Sequence, residues 1–109
     1  MIIDFPGDSV EDGTAPSVAN LLNQNYPNPF NPETNISFDM PRTGNAKIEV
    51  FNVKGQLVKT LFNDVAAHGR NNVVWSGDDN GGNKVSSGVY FYRLNTEFGS
   101  QTRKMMLMK

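Results

Sequence analysis

From Ile36 onward the chain alternates apolar and polar residues in short runs broken by turn-forming residues. Ile36, Phe38 and Met40 alternate with Ser37 and Asp39, which predicts a half-buried strand stopped by Pro41. After a turn over Arg42 to Asn45, Ala46, Ile48 and Val50 alternate with Lys47 and Glu49. Phe51 interrupts that parity and predicts a bulge or a strand end packed on both faces. Asn52-Val-Lys-Gly55 reads as a hairpin turn in which Gly55 supplies the positive φ that a β-carbon would penalise. A less regular strand is expected over Gln56 to Phe62, a loop over Asn63 to Arg70, and a strand that presents Val73 and Trp75 on one face. Ser76 to Asn83 carries an Asn-Gly turn signal, and a brief strand is expected at Val85. Gly88 opens a strand from Val89 to Asn95, Glu97 to Ser100 turns the chain, and a last strand runs through Arg103 to Lys109.

No segment shows a 3.6-residue apolar stripe, so the pattern predicts an all-β fold. About seven short antiparallel strands at this spacing favour an immunoglobulin-like β-sandwich. Its expected core is Phe30, Ile36, Phe38, Ile48 and Val50 around Trp75, the largest apolar side chain available.

Residues 1–22 lack a sustained period and are rich in Pro, Gly and acids, which predicts a flexible acidic linker ahead of a domain spanning 23–109. Within it, Ile2-Ile3 and Val18 to Leu22 are apolar enough to add an edge strand. Every Lys and Arg lies from Arg42 onward, whereas residues up to Pro41 carry only acids. The start of the chain has neither the basic region nor the apolar run of a signal peptide. An exported protein of this sequence would therefore be the terminal piece of a longer parent, with Met1 an added start. Asn25-Tyr-Pro-Asn-Pro-Phe-Asn-Pro-Glu-Thr34 holds three prolines, which fix φ and bias each preceding residue away from helix. An extended, polyproline-like lead-in pinned to the core by Phe30 is expected there.

At 109 residues and 38% hydrophobic content the chain supports one thin two-layer domain with little room for an enclosed active site. The net charge of −1 supplies no field for nucleic acid or an acidic membrane. The absence of cysteine excludes a disulfide framework, thiolate zinc sites and a thiol nucleophile.

Candidate chemistry is sparse. His68 is the single histidine and sits in a loop without a nucleophile elbow or an oxyanion glycine pattern, so no catalytic residue and no enzyme is expected. Asp78, Asp79, Asn80 and Asn83 crowd oxygen ligands into one loop and could hold calcium, but they do not complete an EF-hand, and the same residues suit a tight loop's own backbone. No cofactor is expected. Tyr90 and Tyr92 share a strand face; either the exposed pair stacks on sugar rings, or one of them caps the core with its hydroxyl on nearby backbone. In the last strand Met105 and Leu107 point one way, and Met106 and Met108 the other. A sandwich strand needs one apolar face, so the second is surplus and suited to an adaptable partner surface. An unpaired edge there would also permit strand addition to a receptor or a homodimer.

Taken together and in order, Tyr26-Pro-Asn-Pro-Phe-Asn-Pro32, Val50-Phe-Asn-Val-Lys-Gly55, Trp75, Ser87-Gly-Val-Tyr-Phe-Tyr-Arg-Leu94 and Lys104-Met-Met-Leu-Met-Lys109 resemble the C-terminal sorting domains of bacterial type IX secretion cargo. The resemblance extends to the related immunoglobulin-like domain of flagellar hook-capping proteins and covers Asn23 to Lys109. Ser76 departs from it, standing where the family usually has Asp or Asn after the tryptophan. The resemblance implies a non-catalytic domain behind a cargo, recognised by outer-membrane secretion machinery on the way from the periplasm to the cell surface or medium. It also implies removal by a sortase-like protease, at a site expected within roughly Pro16 to Asn25. The recognised residues would be Gly88, Val89, Tyr90, Lys104, Met105, Met106, Leu107, Met108 and Lys109. The alternative reading is a structural or carbohydrate-binding accessory module of a secreted enzyme.

Overall fold

The computed structural model describes residues 21–108. Six antiparallel strands form two sheets: β1 (Thr34–Met40), β2 (Gly44–Phe51), β3 (Leu57–Ala66), β4 (Gly69–Trp75), β5 (Gly88–Thr96) and β6 (Gly99–Leu107). One sheet has the order β1-β4 and the other β3-β2-β5-β6. Their inner faces enclose one core, in which Phe38 of β1 meets Phe62 of β3 and Trp75 of β4 meets Tyr90 of β5. This is the expected immunoglobulin-like sandwich with six strands instead of seven.

The alternation that predicts β1 and β2 is the pattern of burial. Ile36, Phe38, Met40, Ala46, Ile48 and Val50 all point inward and are buried. Phe51 keeps the parity and faces outward; the irregularity expected there lies in the β2–β3 ladder, whose register shifts at Ile48/Glu49 and at Val50/Phe51. The intervening turn closes with the Gly55 amide on the Asn52 carbonyl at 2.9 Å, and Gly55 takes a φ of 82°.

Three sequence expectations are corrected. Strand β3 extends through Ala66, into the segment read as a loop, because Asn63, Asp64 and Val65 continue the ladder with Lys47, Ala46 and Asn45. Their exposed side chains carry no hydrophobic period. Val85 lies in no strand: the only pairing nearby is an isolated bridge between Asp78 and Lys84. The last strand starts at Gly99 and ends at Leu107, with Lys109 outside the described residues.

The missing seventh strand is a strap over residues 21–30 that closes one side of the sandwich. On the β1 side Leu22 bridges Phe38 and Tyr26 bridges Asn35. On the β6 side the Gln101 Oε1 accepts the amides of Leu21 and Leu22 at 2.9 and 2.8 Å, and Arg103 Nε donates to the Leu22 carbonyl at 2.7 Å. Leu21 and Leu22 are buried, so the sandwich takes in two residues ahead of the boundary expected at Asn23. The rest of the expected linker, with Ile2-Ile3 and Val18, lies outside the described residues. The proline segment bends at 27–29 and 31–32 instead of running as a polyproline-like stretch.

Candidate recognition surface

Strands β5 and β6 pair over their whole length, from Gly88 opposite Leu107 to Thr96 opposite Gly99. Alternation divides their side chains between core and solvent. Tyr90, Tyr92, Leu94, Met105 and Leu107 face inward and are buried. Val89, Phe91, Arg93, Lys104 and Met106 occupy the outer face. Met106 is 41% exposed and Met108, just past the strand, 52% exposed, against 1% for Met105 and 2% for Leu107.

The expected recognition set is therefore split by the sheet. Val89, Lys104, Met106 and Met108 are presented outward around Gly88. Tyr90, Met105 and Leu107 belong to the core and offer no side-chain surface while the sandwich is intact. Lys109 is outside the described residues. Beside the outward set, a cavity of about 200 Å³ lies between the strap and the sheet, lined by Asn28, Pro29, Val89, Lys104, Met105 and Met106.

The two tyrosines are held by the core on one side and by backbone on the other. Tyr90 stacks edge-on against Trp75 at 5.2 Å and donates its hydroxyl to the Ser86 carbonyl at 2.7 Å. Tyr92 donates to the Asn23 carbonyl and accepts the Asn25 amide, each at 2.8 Å. Burial pushes both phenols above their ordinary range, Tyr92 to about 12. Neither ring is available to stack on a sugar.

The outer edge of β6 is not open between Lys104 and Met108. Phe30 donates its amide to the Met106 carbonyl and accepts the Met108 amide, both at 3.0 Å, in a parallel bridge beside Leu107. The Met106 amide donates to Asn28 Oδ1 at 3.0 Å, and Gln24 Nε2 donates to the Lys104 carbonyl at 2.9 Å. Phe30 is anchored by its ring, 5.5 Å from that of Trp75. The unpaired edge expected to recruit a strand from a receptor or a second copy is thus occupied along this stretch by the chain's own strap.

The other candidates resolve into structure. The Asp78–Asn83 loop spends its oxygens on itself and on its neighbour β3. Asp79 Oδ1 accepts the amides of Gly81 and Asn83 at 2.9 Å, and those bonds, the Asn83 amide first, hold its carboxyl below the usual carboxylate range. Asp78 Oδ2 meets Lys59 Nζ at 2.9 Å, and Asn80 Oδ1 accepts the Thr60 amide at 3.0 Å. Among the described residues no group of three or more His, Asp or Glu side chains is placed to hold a metal ion. His68 is exposed in the short turn between β3 and β4. Gln24, Gln101 and Arg103, which tie the strap to β6, carry no sequence signal: their contacts span 79 to 81 positions.

The family model of the secretion system C-terminal sorting domain matches residues 24–108. The chain belongs to that family. Among solved structures, FlgD from P. aeruginosa is similar with a TM-score of 0.56 and 26% identity, over 68% of this chain and 61% of that one. The dimeric latent PorU from Porphyromonas gingivalis is similar with a TM-score of 0.67 and 24% identity, over 89% of this chain and 10% of that one. PorZ of the same organism, described as an essential bacterial surface component of the type-IX secretion system, aligns with a TM-score of 0.55 and 18% identity, over 79% of this chain and 11% of that one. The sorting domain thus spans about six tenths of the first structure and about a tenth of the other two. No curated protein matches the sequence significantly.

Proposed function

We propose that this sorting domain is the export signal of a type IX secretion cargo, read by the outer-membrane machinery through the exposed end of the β5–β6 pair. The reading is carried by the match to the sorting-domain family over residues 24–108. The fold it shares with PorU and PorZ adds support. The contact set is Val89, Lys104, Met106 and Met108 around Gly88, with the groove beside Asn28 and Pro29 receiving part of the receptor. Methionine suits this use because its unbranched, polarisable chain repacks against different shapes at low cost. The domain does no chemistry of its own and passes with its cargo through the periplasm to the surface or medium.

Removal by a sortase-like protease belongs to the same reading. Burial of Leu21, Leu22 and Asn25 argues against cleavage at those positions of the expected range, since a protease needs an accessible segment. Burial of Tyr90 and Tyr92 argues against the sugar-binding alternative.

The test fuses the whole chain to the C-terminus of a fluorescent reporter bearing a signal peptide, in a type IX-competent host. The reporter should reach the surface or medium, and Met106→Glu combined with Met108→Glu should retain it in the periplasm while the purified domain stays folded. Periplasmic retention of the unmodified fusion, or undiminished export of the double variant, would sink the proposal.

A further inference from the structure

The two outer faces of the sandwich differ in kind. On the β1–β4 face polar groups satisfy one another around a single exposed apolar residue, Val74: Asn35 donates to Asn72 at 3.1 Å, and Arg70 pairs with Asp39 at 2.9 Å. The four-stranded face instead sets Leu57, Phe51 and Phe91 in one row, in direct register across β3, β2 and β5. With Val53 of the β2–β3 turn, the two phenylalanines open onto a shallow cavity of about 300 Å³ that Asn52, Gly55, Arg93 and Thr102 complete. Leu57 and Val53 are largely exposed. A solvated sheet face gains nothing from such residues, since fully burying each one would be worth roughly 1.5–3 kcal/mol.

Charge narrows what would cover the row. The outward positions of β2, β5 and β6 carry Lys47, Arg93 and Lys104 against one acid, Glu49, and the Glu49 carboxylate lies 3.7 Å from Lys47. Lys104 sits opposite Phe91, Arg93 opposite Thr102, and Lys54 in the turn that rims the cavity. None of Lys54, Arg93 and Lys104 has a carboxylate within ion-pair distance among the described residues. Glu49 stands directly opposite Arg93 in the β2–β5 register and offsets part of this charge, so Lys54, Arg93 and Lys104 leave a net positive excess around the apolar row.

We propose that this face docks an acidic peptide segment of a partner protein. An aromatic or long aliphatic side chain seats between Phe51 and Phe91, and flanking carboxylates meet Arg93 and Lys104. A guanidinium beside an aromatic-lined cavity can hold a carboxylate by paired, charge-assisted hydrogen bonds. A basic segment would bring like charges against three cations and be rejected, so the cations select as well as attract. A second copy presenting the same face is disfavoured on the same ground. This surface is centred toward the Arg93 end of β5; it shares Lys104 with the export contact set but uses neither Met106 nor Met108, and its argument does not rest on the export reading.

The test titrates the isotope-labelled full chain with a capped peptide holding one phenylalanine flanked by two glutamates on each side. A matched peptide with lysines for glutamates is the control. Saturable amide shifts at Phe51, Phe91, Arg93 and Thr102 are expected for the acidic peptide, with affinity at least about tenfold weaker for the lysine peptide. Arg93→Glu, at an exposed position, should weaken the acidic peptide by about tenfold or more and leave the remaining spectrum unchanged. No shifts up to about 1 mM, equal binding of both peptides, or indifference to Arg93→Glu would overturn the proposal. Shifts of the same amides with protein concentration alone would assign the face to a second copy and overturn it too. Because the measurement uses purified protein, its failure leaves the export reading standing, and the converse also holds.

Discussion

The Tyr92 hydroxyl accepts the Asn25 backbone amide at 2.8 Å across 67 positions of chain, and so ties the strap to the centre of β5. The same oxygen donates to the Asn23 carbonyl. Asn25 is buried and its side chain is already committed to Thr34 Oγ1 at 2.9 Å, so no water replaces the phenol easily. Tyr92→Phe should cost about 1–3 kcal/mol in urea denaturation, because it strands a buried donor and acceptor without leaving a cavity. It should also alter the alkaline limb. Burial holds the Tyr92 phenol neutral to about pH 12, against an ordinary 10.0. That contribution is fully present below pH 10 and is lost as pH rises through about 12. A stability profile from pH 8 to 12 should therefore fall less steeply in Tyr92→Phe than in the parent; parallel profiles would refute the assignment.

Phe30 couples the strap to Trp75 and at the same time covers the β6 edge. Its ring packs on Trp75 at 5.5 Å while its backbone brackets Met106 and Met108. Phe30→Ala should destabilise by about 3–5 kcal/mol through the cavity beside Trp75. Because the backbone bridge depends on that anchor, the Met108 amide should lose hydrogen-exchange protection more than the amides of β2. The freed edge would then be open to strand addition, visible as concentration-dependent dimer in sedimentation. Uniform loss of protection across both sheets would show that the edge has no separate dependence on Phe30.

How much of this was legible depends on whether an element hides one face. Strands β1, β2 and β5 do, and Ile36, Phe38, Ile48, Val50, Tyr90 and Tyr92 announce them by alternation. The far end of β3 hides neither face at Asn63, Asp64 and Val65, so its ladder with β2 leaves no hydrophobic trace. The strap escapes for a different reason. Its pairing comes from single bridges at Leu22, Tyr26 and Phe30, the last two separated by Pro27 and Pro29, which remove donors. At the recognition surface, the surplus of Met106 and Met108 was readable from parity. That Tyr90, Met105 and Leu107 drop into the core follows from the same parity. The outward placement of Phe51 follows from that parity as well, but an apolar side chain at a position the alternation gives to solvent reads as an interruption of the strand.

The Asp79 loop should behave as a self-contained turn. Asp79→Ala removes the acceptor of the Gly81 and Asn83 amides and should raise their exchange rates, with a small loss of global stability since the loop is exposed. Calcium at millimolar concentration should leave the melting temperature of the parent unchanged, because Asp78 is paired with Lys59 and Asp79 with backbone. A calcium-dependent rise abolished by Asp79→Ala would reverse this conclusion.

Met105 and Met106 are neighbours with opposite exposures, which separates folding from recognition at adjacent positions. Met105 is packed in the core opposite Tyr90, so Met105→Ala should cost about 2–5 kcal/mol, with partial loss depending on how far the site collapses. Met106 stands at the surface opposite Val89, and Met106→Ala should shift stability by no more than about 0.5 kcal/mol. If the outer face is what the export machinery reads, the two variants should exchange ranks in cells. Met106→Ala would lower surface delivery of a fused reporter at unchanged melting temperature. Met105→Ala would lower its abundance by degradation, while the fraction of surviving protein that is exported stays near the parent's. Comparing exported fraction with total reporter for both variants decides the matter, and equal exported fractions in the two would remove Met106 from the recognition surface.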